Sequence, residues 1–120
     1  MADRVLFISW GTPVRGLEER GLEVFNESLG VFGRMQQDGR IEGFEVMLLD
    51  PNTTLGGCMQ LLGTADQLAT VREDDEFKRT MIQASLIVED LTLVAGYVND
   101  GIARQMALYQ EAIARLPQRA

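Results

Sequence analysis

The chain has 120 residues and a mass of 13.4 kDa, enough for one compact domain. Its 46% apolar and 24% charged residues are typical of a globular protein, and no apolar run approaches the ~20 residues that cross a bilayer. The net charge of -7 argues against the basic surface that binds nucleic acid or anionic lipid. We therefore expect one domain over residues 1–120, with neither nucleic acid nor a membrane as its partner.

The chain contains no histidine and a single cysteine, Cys58. The lack of imidazole excludes Ser-His-Asp triads and histidine ligation of zinc or haem. One cysteine allows neither an internal disulfide nor a thiolate metal cluster within the chain. The first apolar stretch, residues 5–8, is too short for a signal peptide. We therefore expect a cytoplasmic protein that works without a metal or another cofactor.

Strand-like and helix-like segments follow one another along the chain. Short apolar runs bounded by turn residues predict four strands, at residues 4–10, 40–49, 57–62 and 91–98. Apolar residues at helical spacing predict a long first helix over residues 15–38. Thr64 and Gln67 form a capping box that begins a second helix. The acidic run that follows predicts a break near Asp74 and a further helical piece to about Val88.

A last helix is predicted from Asn99 to about Leu116. Its apolar residues recur at i, i+4, i+7, i+11 and i+14, namely Ile102, Met106, Tyr109, Ile113 and Leu116. We expect the side chain of Asn99 to cap this helix. Such a narrow stripe is of the kind that docks in one groove.

The order strand–helix–strand–strand–helix–strand predicts a split βαβ fold of class α+β. It folds as a ferredoxin-like four-stranded antiparallel sheet with both main helices on one face, here with an extra C-terminal helix. The strands are apolar on both faces, as Phe7 beside Ile8 and Val46 beside Met47 illustrate. A monomer does not normally leave so large an apolar face in water. We therefore expect a homodimer in which the two open sheet faces pack together.

This order of elements, with the broken second helix near residues 72–77, resembles the dimeric α+β barrel superfamily. The resemblance covers nearly the whole chain as a pattern of elements and includes no catalytic motif. The superfamily includes antibiotic-biosynthesis-type monooxygenases, stress-responsive A/B barrel proteins, muconolactone isomerases and YCII-like proteins. Its haem-degrading branch needs a histidine ligand, and the isomerase-like and YCII-like members also depend on histidine. The resemblance therefore implies a cofactor-free oxygenase, a small-ligand binder or a member without an assigned activity.

Polar or amphipathic side chains that interrupt the apolar strands are the candidate ligand contacts. They are Ser9, Trp10, Glu45, Gln60 and Tyr97. Trp10 can stack on a planar ligand and orient its oxygen with the indole N–H, although core packing is the structural alternative. Glu45 could act as a base if buried, or lie at an exposed rim. Because the first and last strands are antiparallel neighbours, we expect Trp10 and Tyr97 at opposite ends of the sheet.

Two functions stay open at this point. The first is a homodimer that binds an apolar or aromatic metabolite in a pocket between sheet and helices, with cofactor-free oxygenation as the reaction that the resemblance implies. The second is a structural or regulatory dimer that acts through its outer helical face. Ile82 and Leu86, which fall outside the main stripe of their helix, motivate the second function.

Overall fold

A computed structural model describes residues 1–117 of the chain. Within them the elements are β1 (Arg4–Trp10), α1 (Glu18–Gln37), β2 (Gly43–Leu48), β3 (Gly57–Gly63), α2 (Ala65–Glu73), α3 (Asp75–Ile87), β4 (Thr92–Tyr97) and α4 (Asp100–Ala114). The strands form one antiparallel sheet in the order β2-β3-β1-β4. The predicted α+β, ferredoxin-like fold with an extra C-terminal helix is thereby confirmed.

The core lies between one face of the sheet and helices α1 to α3. Strands β1 and β3 pair so that Leu6 faces Leu61 and Ile8 faces Met59, and all four side chains are buried. The helices contribute the largest fully buried rings, Phe32 and Phe77, whose centroids lie 6.2 Å apart. Because side chains alternate along a strand, the residues between these core positions point to the opposite face.

Side-chain caps begin both α2 and α3, and the second cap lies at the break between the two helices. The Thr64 hydroxyl accepts a hydrogen bond from the Gln67 amide at 3.2 Å, and the Gln67 side chain accepts one from the Thr64 amide at 2.8 Å. Asp74 stands in extended backbone between the helices, and its carboxylate accepts from the Phe77 amide at 3.0 Å. A second oxygen of Asp74 lies 3.3 Å from Arg40. The predicted capping box and the break near Asp74 are therefore confirmed.

The sheet face opposite α1 to α3 is called the open face below. Its residues alternate with the core positions and include Val5, Phe7, Ser9, Glu45, Met47, Cys58, Gln60, Leu62, Thr92 and Val94. Met47 is 55% exposed and Val94 is 50% exposed. One chain by itself thus leaves a partly apolar sheet face in water, as the strand patterns predict.

Helix α4 extends away from the rest of the domain. Apart from Gly101, its side chains are exposed, so the expectation that its apolar stripe docks in a groove is wrong for a single chain. The expected side-chain cap is also absent, because the Asn99 amide nitrogen instead donates to the Ala2 carbonyl at 2.7 Å. The projecting helix raises the radius of gyration to 17.0 Å, against about 14 Å for a compact chain of this length.

Among residues 1–117, none of the helices combines the length and the apolar character that a membrane crossing requires.

Candidate functional site

A cavity of about 280 Å³ lies between the sheet and helices α1 and α3. Its main apolar walls are formed by Ile8 and Met59 from the sheet, Val24 and Phe25 from α1, and Met81 and Ala84 from α3. The cavity is the type of concave apolar space in which small molecules bind.

The indole of Trp10 forms one wall of this cavity. Trp10 ends β1 on the helix side of the sheet, and its ring meets the Phe25 ring edge to face with centroids 6.0 Å apart. On its other side the indole rests on the backbone of Gly56 and Gly57. A Cβ atom at Gly56 would lie 2.9 Å from the indole nitrogen, and one at Gly57 would lie 3.0 Å from Cζ2. A side chain at Gly56 would therefore displace the ring, whereas one at Gly57 would clash first with the Met47 carbonyl.

Few polar side chains reach the cavity. The buried Ser28 hydroxyl donates to the Val24 carbonyl at 2.8 Å, which leaves its oxygen lone pairs free to accept a hydrogen bond. Glu18 is exposed at the rim, where its carboxylate accepts from the Gly16 amide at 2.8 Å. One hydroxyl oxygen and a solvated carboxylate at the rim, among otherwise apolar walls, favour an uncharged ligand with one or two polar atoms.

Three of the predicted ligand contacts lie on the open face, across the sheet from the cavity. Glu45 pairs with Gln60 between β2 and β3, and Ser9 pairs with Cys58 between β1 and β3. Glu45 is exposed, whereas Ser9 and Gln60 are half-buried. The structure therefore brings these polar side chains near one another and separates them from Trp10.

Tyr97 lies at the far end of the sheet from Trp10. It pairs with Arg4 at the start of β1, whereas Trp10 pairs with Gly57 at the end of that strand. The Arg4 guanidinium carbon stands 4.7 Å from the centre of the Tyr97 ring, a cation–π contact. The predicted opposite placement of Trp10 and Tyr97 agrees with this register. Of the five candidates, Trp10 alone lines the cavity.

Ser28, Glu18 and Gly56 were not among the residues predicted for a site. Ser28 carries a local signal, because it interrupts the otherwise apolar buried side of α1. Gly56 and Gly57 form a glycine pair whose surrounding sequence matches no phosphate loop, so the sequence gives no signal for a site there. Their role as the support of an indole depends on a contact with Trp10, which is distant in sequence.

The charged groups of the domain lie outside the cavity walls, except for Glu18 at the rim. On α1, the hydrogen bonds that the Arg20 guanidinium donates to the Glu23 and Glu27 carboxylates raise the pKa of Arg20. Within residues 1–117, His, Cys, Asp and Glu side chains form no cluster of three that could hold a metal ion. The candidate site is thus an apolar cavity rather than an ionic centre.

Neither a protein-family model nor a curated protein sequence matches the chain. The solved structures that are similar to it include the following two. The first is a dimeric protein of unknown function and ferredoxin-like fold from Bacteroides fragilis NCTC 9343, with a TM-score of 0.60 and 16% identity over 79% of this chain and 96% of that one. The second is SnoaB, a cofactor-independent oxygenase from Streptomyces nogalater, with a TM-score of 0.50 and 18% identity over 82% of this chain and 93% of that one. These likenesses establish the ferredoxin-like fold of the chain.

Proposed function

We propose that two copies of this chain pair through their open faces and that each binds an uncharged apolar or aromatic molecule in its cavity. The main support for ligand binding is the cavity of about 280 Å³. Its lining is almost entirely apolar and includes the indole of Trp10. Its volume is close to the lower end of ordinary ligand pockets, roughly 300 Å³. A flat molecule of one or two rings fits this space.

The open face supports the pairing. Met47 and Val94 are about half-exposed there, and burial of such apolar surface is the main driving force of association. The similar protein from Bacteroides fragilis is described as dimeric. A twofold arrangement would bring each open face against an identical one, because such an interface is made of the same patch twice.

For the reaction we propose cofactor-independent oxygenation, which is the activity of SnoaB. In this proposal the Trp10 indole stacks on an electron-rich ring, and the indole N–H or the Ser28 hydroxyl contacts a substrate oxygen. The apolar walls exclude water from the reacting atoms. The protein contributes binding and orientation, while the substrate supplies the electrons that reduce oxygen.

The intrinsic fluorescence of the chain tests ligand binding directly, because Trp10 is its only tryptophan. The probes are β-naphthol, indole and anthraquinone. At least one of them is expected to quench the fluorescence saturably. Ala84→Leu fills part of the cavity and is expected to weaken the affinity at least about tenfold, the effect of roughly 1.4 kcal/mol.

The matched control is Gln83→Leu, which adds a leucine at the neighbouring exposed position of α3. This variant should bind the probes as the unmodified chain does. Saturable quenching that is equal in all three proteins would place the binding elsewhere, and the absence of quenching by every probe would contradict the proposal.

The outer side of α3 supports a second candidate, a structural or regulatory dimer. Ile82 is 60% exposed and Leu86 is 67% exposed, one helical turn apart on the same side. A photo-crosslinking residue in place of Leu86 should then yield a discrete protein adduct in the source cells. If position 86 yields no adduct, this candidate fails.

A further inference from the structure

We infer that α4 is an interface arm whose apolar stripe packs on a second copy of this chain. This inference rests on the dimer proposed above and adds to it, because it assigns the arm a large share of the interface. The α4 stripe consists of Ile102, Met106, Tyr109, Ile113 and Leu116, which are between 46% and 63% exposed in the single chain.

A short helix with an exposed apolar side is stable only if that side packs against another surface. Helix α4 has 15 residues, and isolated helices of about 12–15 residues are only marginally stable in water. Most helical stability in proteins comes from packing of an apolar side. The α4 stripe offers such a side, but its own chain leaves it in solvent.

Several contacts fix the root of α4 to the start of β1 and hold the helix in its projecting direction. The Asn99 side chain donates to the Ala2 carbonyl at 2.7 Å, and the Val98 amide donates to the Asp3 carbonyl at 3.2 Å. Gly101 packs directly against the Asp3 backbone, and Arg104 forms an ion pair with the Asp3 carboxylate. Cover for the α4 stripe therefore has to come from another molecule.

The area that a stable dimer needs points to the same conclusion. Four strands of 6 or 7 residues span a face of about 20 by 20 Å, or roughly 400 Å², at the usual strand spacing and rise. A standard interface buries about 800 Å² per partner. In a twofold dimer each copy gives one arm and receives one. An arm about 22 Å long and about 10 Å wide covers roughly 220 Å², so one arm given and one arm received together supply about the missing 400 Å².

The charge of α4 and of the whole chain favours binding to a second copy over binding to an anionic lipid surface. Within α4 the ionic side chains are two acids, Asp100 and Glu111, and one base, Arg104; with Arg115 at the C-cap, this segment adds no net charge. A neutral helix is not repelled by a partner that carries a net charge of -7. That same charge repels the chain from anionic membranes.

Sedimentation velocity of the full-length chain over a range of concentrations tests the inference. Met106→Glu and Ile113→Glu place a charge on the α4 stripe and are expected to raise the dimer Kd at least about tenfold. The matched control is Leu108→Glu, at an exposed position on another side of α4, which should change the Kd by less than about twofold. Circular dichroism should show a folded domain in all three variants, and any loss of helical signal in the two stripe variants should not exceed the 15 residues of α4.

The possible results distinguish the role of α4 from dimerisation through the open face. If the unmodified chain is a dimer and the stripe variants bind as tightly as it does, the arm is overturned and the open-face dimer stands. An equal loss in Leu108→Glu also overturns the assignment of the stripe. If the unmodified chain is a monomer, the dimer and the arm both fail. Ligand binding, read from Trp10 fluorescence, is unaffected by any of these results.

Discussion

The indole of Trp10 packs directly against the backbone of Gly56, and the space between the ring and the Gly56 Cα holds only hydrogen atoms. A Cβ atom at position 56 would stand 2.9 Å from both Cδ1 and Nε1 of the ring. The Gly56 amide also donates to the Trp10 carbonyl at 2.8 Å, which ties the two residues together through the main chain. The turn before β3 thus fixes the ring that walls the candidate cavity, and the shape of the cavity depends on a residue outside it.

Gly56→Ala is expected to displace the Trp10 ring. The new methyl group also meets the Gly11 carbonyl, so neither neighbour yields freely and the free energy of unfolding should fall by about 1–3 kcal/mol. Urea unfolding measures this loss, and the tryptophan emission should shift to the red as the ring becomes more hydrated. The control is Gly33→Ala in α1, where a Cβ meets nothing within 4 Å and the chain should gain about 0.5–1 kcal/mol. A neutral Gly56→Ala would show that the contact is dispensable.

Charges on the open face should separate the two copies. Val94→Glu and Met47→Glu place a carboxylate where the proposed interface is apolar, and burial of an unpaired charge is costly. The dimer Kd should rise by about two orders of magnitude or more, in keeping with substitutions at the centre of an interface. Ile82→Glu and Leu86→Glu, on the outer side of α3, are the matched controls and should leave the dimer intact. The reverse pattern would place the interface on the helices.

The single thiol, Cys58, reports on the same face. It is half-buried in one chain, between Met47 and Ser9 in the strand register. The second sheet of a dimer should shield it, so its reaction with Ellman's reagent should be slow at high protein concentration and accelerate on dilution. Val94→Glu should react quickly at every concentration. A rate that does not depend on concentration, with a dimer present, would locate the interface away from Cys58.

Asp74 should stabilise the fold mainly as the cap of α3. Asp74→Ala removes the acceptor for the Phe77 amide and should cost about 1–2 kcal/mol in the free energy of unfolding. Asp74→Asn keeps an oxygen acceptor but loses the ion pair with Arg40, which is partly exposed and worth about 0–1 kcal/mol. Urea denaturation of both variants distinguishes the two roles. Equal losses in both would mean that the ion pair, not the cap, stabilises this turn.

The order of elements was predictable because its signals are local. Apolar periodicity marks the strands and helices, and Thr64 with Gln67 and Asp74 marks the ends of α2 and α3. The behaviour of Asn99 was not predictable, because its side chain bonds to Ala2 at the other end of the chain. A capping position can be seen in a sequence, but a long-range competitor for its side chain cannot.

The candidate site was predictable only in part. Side chains alternate along a strand, so Ser9 points to the other face of the sheet from Ile8, and Gln60 points to the other face from Met59. These polar residues therefore face away from the core. Trp10 shares the parity of Ile8 and does reach the cavity. Ser28 also lines the cavity, from α1. Whether Ser28 lies near Trp10 depends on how α1 crosses the sheet, and no short-range sequence pattern encodes that crossing. The open-face residues Ser9, Glu45 and Gln60 stay predictions as ligand contacts.

The mass of the full-length chain in solution tests the central claim most directly. Sedimentation equilibrium at micromolar concentration should give a particle of twice 13.4 kDa, which dissociates when Val94 is replaced by glutamate. A single species of 13.4 kDa that persists as the concentration is raised would contradict the pairing of open faces.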